Sequence, residues 1–111
     1  MSKPTSVNIV GVIYKIEYVD KPSDVDVFKR TSLWGQIDYW TRTIRIYDNG
    51  RSMEDIWQTL FHEILHGIAE LLKLSSLNKD ENHDELDVLA LAIVDILIRN
   101  GWFIGTGEKN E

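Results

Sequence analysis

Residues 51–74 read RSMEDIWQTLFHEILHGIAELLKL, and the period of this stretch decides how the rest of the chain is read. Met53, Ile56, Trp57, Leu60, Phe61, Ile64, Leu65, Ile68, Leu71 and Leu72 recur every three or four residues, the apolar stripe of an amphipathic helix. Ser52 stands where an N-cap belongs, with Asp55 three residues on. After a polar stretch from Ser75 to Asn82, the spacing of Leu86, Leu89, Ala90, Ile93, Val94 and Leu97 predicts a second helix over Asp84–Arg99. Asn82 with Glu85 has the form of a capping box, and Asn100-Gly101 of a helix stop. Leu91, Ile96 and Ile98 widen the stripe, so this helix is expected to be buried on more than one side.

Upstream the period changes to two. Val12, Tyr14, Ile16 and Tyr18 alternate with Ile13, Lys15 and Glu17, which predicts a single strand within Val7–Val19. Asp20–Asp24 punctuates the chain with turn formers around Pro22, and Val25–Thr31 has no clear assignment. Leu33–Tyr39 and Thr43–Tyr47, joined by Trp40-Thr41-Arg42, read as a hairpin ended by Asp48-Asn49-Gly50.

The 111 residues suit one domain, with residues 1–6 and 105–111 expected to be flexible. Apolar residues make up 43% and charged residues 27%, the balance of a globular chain that buries a core. Twelve Lys and Arg against eighteen Asp and Glu leave a formal charge of −6, which argues against nucleic acid as a partner. With no cysteine, disulfides, thiolate metal sites and a Cys nucleophile are excluded. No apolar run is long enough to span a membrane and the start lacks an apolar leader core, so a cytoplasmic chain is expected.

Within the first helix lies His62-Glu63-Ile64-Leu65-His66, the HExxH pattern. Four residues advance a helix by just over one turn, so the two imidazoles project side by side and can offer two nitrogens to one zinc ion. Glu63 lies on the adjacent flank, where a carboxylate can take a proton from a water attacking a carbonyl. At average His and Glu usage such a pattern arises by accident in on the order of a few chains per thousand of this length. The two histidines fall outside the Ile56/Leu60/Ile64/Ile68 stripe, which separates packing from chemistry.

A catalytic zinc needs a third protein ligand. Positions 69 and 72, where a metzincin carries Gly and His, are Ala69 and Leu72, so the ligand comes from elsewhere. His83, at the start of the second helix, is the leading candidate. Glu85 is the conventional alternative, with Asp84 and Asp87 behind it. Asp87 lies one turn beyond His83, where it could orient that imidazole.

Gly35-Gln36-Ile37-Asp38 leading to Ile44-Arg45-Ile46, then Leu60–Gly67 with HExxH, then the second helix, resembles the short ImmA/IrrE-type zinc metallopeptidases often encoded by phages and mobile elements. The resemblance covers roughly Leu33–Leu97. In that family the third ligand is usually a Glu in a pattern like E-x-x-A-N-x-F-A, and aligning Asp87-Val88-Leu89-Ala90 with its last four positions puts His83 where the Glu stands. The fold implied is α+β and minimally zincin-like, a small antiparallel sheet packed against the HExxH helix and a second buried helix. The activity implied is zinc-dependent hydrolysis of a protein or peptide substrate such as a repressor, bound along an edge strand. A catalytically weak or inactive zinc-binding regulatory module is the alternative. Tyr39, Tyr47 and Arg45 are candidates to polarise the scissile carbonyl, with cross-strand packing the better reading of the aromatics. Trp57 falls on the core stripe and Trp102 follows a helix stop. Trp34 and Trp40 on the hairpin are open to a protein contact.

Overall fold

The computed structural model describes residues 3–26, 33–74, 79 and 83–100, the side chains of His83 and Arg99 excepted. The strands are β1 (Ser6–Ile9), β2 (Val12–Val19), β3 (Gly35–Asp38) and β4 (Thr43–Tyr47), followed by the helices α1 (Met53–Leu71) and α2 (His83–Arg99). The architecture is α+β. A four-stranded sheet of order β1-β2-β4-β3 lies against α1, whose other side carries α2.

Two expectations about the sheet are corrected. The stretch Val7–Val19 is a hairpin, with Ser6 opposite Lys15 and Ile9 opposite Val12. Val10 and Gly11 turn the chain with φ of 49° and 92°, and the Asn8 side-chain oxygen accepts the Gly11 N–H at 2.7 Å. A β-branched residue in the left-handed region is sterically unfavourable. Because Val stands where Asn or Gly is usual, the apolar alternation runs on through the turn and hides it. Val10 is 63% exposed, so Val10→Asn gives up little packing while relieving the backbone. We expect that variant to be more stable by about 1 kcal/mol, read as a higher urea midpoint at unchanged slope.

The sheet is also mixed and not antiparallel throughout, since β2 and β4 run parallel with Lys15 opposite Thr43 and Val19 opposite Tyr47. After β2 the chain makes a short 3-10 turn at Pro22–Asp24 and crosses over to lay β3 at the outer edge. The tight return from β3 then inserts β4 between β3 and β2. The β3–β4 hairpin itself forms as expected. Its turn is held by Asp38, which accepts from the Trp40 N–H at 3.0 Å and the Thr41 hydroxyl at 2.9 Å. Residues 3–6, expected to trail loosely, are tied to the sheet: the Ile16 N–H donates to Thr5 O, the Tyr18 hydroxyl to Pro4 O, and Lys3 pairs with Asp48. The expected tail at 105–111 and Trp102 lie outside the described residues.

The core joins Ile9, Tyr14, Ile16, Ile44 and Ile46 of the sheet to Ile56 and Leu60 of α1. Trp57, Ile64 and Ile68 pack around it half-buried. Ser52 caps α1 by accepting the Asp55 N–H at 3.1 Å. The helix ends with Lys73 at φ 61° and the Leu74 N–H bonded to Ala69 O at 2.8 Å, a Schellman motif without its customary glycine. Helix α1 comes close to the sheet at Gly67, where an added Cβ would lie 3.0 Å from both Ile37 Cδ1 and Ile9 Cδ1. Helix α2 buries Leu86, Ala90 and Val94, but Leu91 and Ile96 are 53% and 51% exposed. The expectation of burial on more than one side is therefore not met among the described residues. No helix of the described residues is long and apolar enough to cross a membrane.

Candidate metal centre

The sheet-facing line of α1 runs Ile56, Leu60, Glu63, Gly67. Glu63 occupies the place on that line where the sheet ends at its edge strand, β3. Its carboxyl is buried, and burial pushes its pKa up to about 8 from an ordinary 4.5, with the Ile37 backbone hydrogen bond acting the other way. In the hairpin the Tyr47 N–H donates to Trp34 O. Backbone groups alternate sides along a strand, so those of Gly35 and Ile37 face the free edge. This is how a strand amide comes to meet the glutamate.

Gly35 makes the approach possible. A Cβ built there would lie 2.6 Å from Thr59 Cγ2 and 3.3 Å from Glu63 Cγ and Oε2. The obstructing Thr59 is β-branched and fixed on a helix, so it cannot swing aside cheaply. Gly35→Ala is expected to destabilise the fold by about 1–3 kcal/mol in a denaturant titration, and to displace Glu63. Sequence reading quoted Gly35 without assigning this role, because close approach is a tertiary property.

One position back, His62 lies between β3 and α2, and its Nε2 faces His66 Nε2 at 3.1 Å. The His62 ring is buried and His66 half-buried. On the far side of His62, Nδ1 is 3.5 Å from Asp87 Oδ1, and Gln58 Nε2 donates to the same oxygen at 3.4 Å. Asp87 thus reaches His62, where the sequence had paired it with His83. It meets the ring nitrogen that points away from His66. A carboxylate there favours the tautomer with a proton on Nδ1 and the lone pair on Nε2, the nitrogen that faces His66.

Two nitrogens bound to one tetrahedral zinc at about 2.0–2.1 Å lie roughly 3.3 Å apart. The His62 and His66 nitrogens, 3.1 Å apart, are close to that separation. Among the described residues no three His, Cys, Asp or Glu side chains come together to hold a metal ion. His83 opens α2, but its side chain lies outside the described residues, as do Asp80, Glu81 and the expected Asn82 cap. Asp84 and Glu85 are exposed in the first turn of α2.

A cavity of about 430 Å³ opens beside His62 and Glu63, lined among others by Trp34, Gly35, Arg51 and Thr59. Arg51, which sequence reading passed over, builds its wall. Its guanidinium donates to Tyr47 O at 2.7 Å, Asp55 O at 3.0 Å and Thr59 Oγ1 at 2.6 Å, and lies 4.2 Å from the Trp34 ring centre. This ties the exit of β4 to the first turns of α1, and burial lowers the arginine's pKa. The only hint in the sequence is an arginine directly before the Ser52 cap.

The three candidates for polarising a carbonyl are all engaged. The Tyr39 hydroxyl donates to His66 O at 3.2 Å, which links the β3–β4 turn to the motif helix. Tyr47 meets Trp34 edge-on at 5.9 Å. Arg45 pairs with Glu17 at 3.5 Å. Trp34 and Trp40 are 61% and 94% exposed, as open as the hairpin reading allowed.

Compared with known protein families, with curated proteins and with solved structures, the chain matches none.

Proposed function

We propose that this protein is a minimal zinc-dependent endopeptidase acting on a protein or peptide substrate. The observation that carries the reading is the approach of His62 and His66 Nε2 to 3.1 Å beside the buried Glu63. His62 and His66 would hold the ion, with His83 as third ligand and Glu85 as its substitute. Zinc supplies Lewis acidity, which makes water deprotonable near neutral pH and polarises a peptide carbonyl.

The remaining work falls to the chain. Glu63 takes a proton from the attacking water on its carboxylate and hands it to the departing amide nitrogen, so one group serves as base and then acid. In the metal-free fold burial favours the protonated form, so the positive charge of a bound ion would be needed to restore the carboxylate that the base step requires. Asp87 holds His62 in the tautomer that presents Nε2. The substrate lies extended along the free edge of β3, with a side chain in the cavity between Trp34 and His62. The resemblance to ImmA/IrrE-type peptidases supports a regulatory protein, such as a repressor, as the substrate. A cytoplasmic site of action accords with the absence of cysteine.

The test is metal analysis of the purified chain together with cleavage of a mixed peptide library, with Glu63→Gln as control. One zinc per chain with Glu63-dependent cleavage is expected. Zinc without cleavage would move the protein to a zinc-binding regulatory module, and no zinc after reconstitution would end the reading. Asp87→Asn should retain the site but weaken zinc binding by about 10–100-fold in a competitive chelator titration.

A further inference from the structure

The free edge of β3 is bracketed by two exposed tryptophans, Trp34 and Trp40, and the peptidase reading uses only the cavity at Trp34. At the other end of the strand lies a second cavity of about 320 Å³, lined by Gln36, Ile37, Asp38, Tyr39 and Trp40. These are five consecutive residues. A hollow on either face of the sheet would also be walled by β4 or α1, and among the described residues neither element lines this one. It therefore runs along the open edge of the strand, continuing the edge where Gly35 and Glu63 meet.

The polar side-chain groups of the lining are already engaged. The Gln36 amide donates to Asp26 Oδ1 at 3.2 Å and the Tyr39 hydroxyl to His66 O at 3.2 Å. Asp38, the one charged residue of the lining, holds the turn with both oxygens, accepting from the Trp40 N–H and the Thr41 hydroxyl. A polar side chain lodged here would give up water for no new partner, whereas an apolar one buries surface against Ile37 and the two aromatic rings. Trp40 is 94% exposed although its backbone is fixed in the turn, so its indole is a preformed wall that costs little to order.

We infer that this cavity receives a large apolar side chain of the substrate, with Trp40 setting the preference. Glu63 abuts Gly35 and is hydrogen-bonded by the Ile37 backbone, which centres it at Gln36. The cavity centres on Asp38, two residues or about 7 Å further along the strand. An extended substrate on the same edge advances at the same rate, so the selected residue stands two or three positions from the cleaved bond. In naming a substrate class, the inference rests on the peptidase reading.

The test uses the full chain carrying Glu63→Gln, which does not consume its probe. The probes are fluorescein-labelled octapeptides of alternating Ser and Thr with one central Phe, Leu, Lys or Glu, and binding is read by anisotropy. The Phe and Leu peptides should bind at least about tenfold more tightly than the Lys and Glu peptides, the discrimination an apolar pocket commonly supplies. Trp40→Ser should bring all four within about twofold of one another while zinc content and melting temperature stay unchanged. Equal binding of the four, no binding up to about millimolar peptide, or a preference that survives Trp40→Ser would overturn the inference. So would a dimer of the unmodified chain that Trp40→Ser dissociates, since a second copy would then fill the cavity. The two readings fail separately. Binding that depends on Phe and Trp40, without hydrolysis by the unmodified chain, would keep the cavity's role and end the peptidase reading, and zinc-dependent hydrolysis indifferent to apolar residues would do the reverse.

Discussion

Glu63→Gln is expected to keep one zinc per chain and to lose about 10³-fold in peptide hydrolysis, the typical contribution of a positioned acid–base group. Gln has the shape of Glu but cannot accept and release the proton. The same substitution is expected to stabilise the metal-free chain. Unfolded, Glu63 ionises near the ordinary 4.5, whereas in the metal-free fold its carboxyl is pushed up to about 8 by burial. Between those values folding must take up a proton, so the glutamate costs the fold nothing below about pH 4.5 and progressively more as pH rises. At pH 7 the penalty is about 3 kcal/mol, following the equivalence of one pH unit and roughly 1.4 kcal/mol. Urea titrations of metal-stripped protein should show the variant gaining little at pH 4 and most at pH 8. A difference independent of pH would show that Glu63 is not desolvated in the way its surroundings dictate.

His66→Ala should abolish stoichiometric zinc and, with it, the stabilisation that zinc confers. A ligand present at about a thousand times its dissociation constant adds about 4 kcal/mol to the stability of a protein it binds only when folded. The unmodified chain should therefore melt well above its metal-stripped form, while the variant should melt at one temperature with or without zinc. His62→Ala should behave alike, with the further effect of leaving Asp87 without the imidazole it faces. Against this background His83→Ala identifies the third ligand. Loss of zinc comparable to that in His66→Ala assigns His83, and retention shifts the role to Glu85. A variant that binds zinc as the unmodified chain does at both His62 and His66 would refute the metal centre.

The motif helix was legible because its cap and its period are local: the Ser52 cap and the one-turn spacing of His62 and His66 follow from helix geometry, and the structure has the cap bond and the facing nitrogens. The stripe was legible only in part, since Leu72 is 50% exposed and the buried line passes through Glu63 and Gly67, with His62 buried too, so packing and chemistry are not separated as expected. The β3–β4 hairpin was legible for the same reason. The β1–β2 turn was not, because Val10 in a left-handed conformation carries no turn signal. The parallel pairing of β2 with β4 was also hidden, since nothing in an alternating strand states which neighbour it takes.

What the sequence by itself determined is the class of fold, the composition that excludes thiol chemistry, and two imidazoles with a carboxylate on one helix. These rest on periodicities of 3.6 and 2 residues, which are properties of the chain alone. Only the tertiary structure decided that Glu63 meets an edge-strand amide, that Gly35 makes room for it, that Asp87 reaches His62, and that Arg51 walls the cavity. Each of these joins residues far apart in the chain, and their meeting depends on how the sheet and the helices stack, which no local spacing encodes.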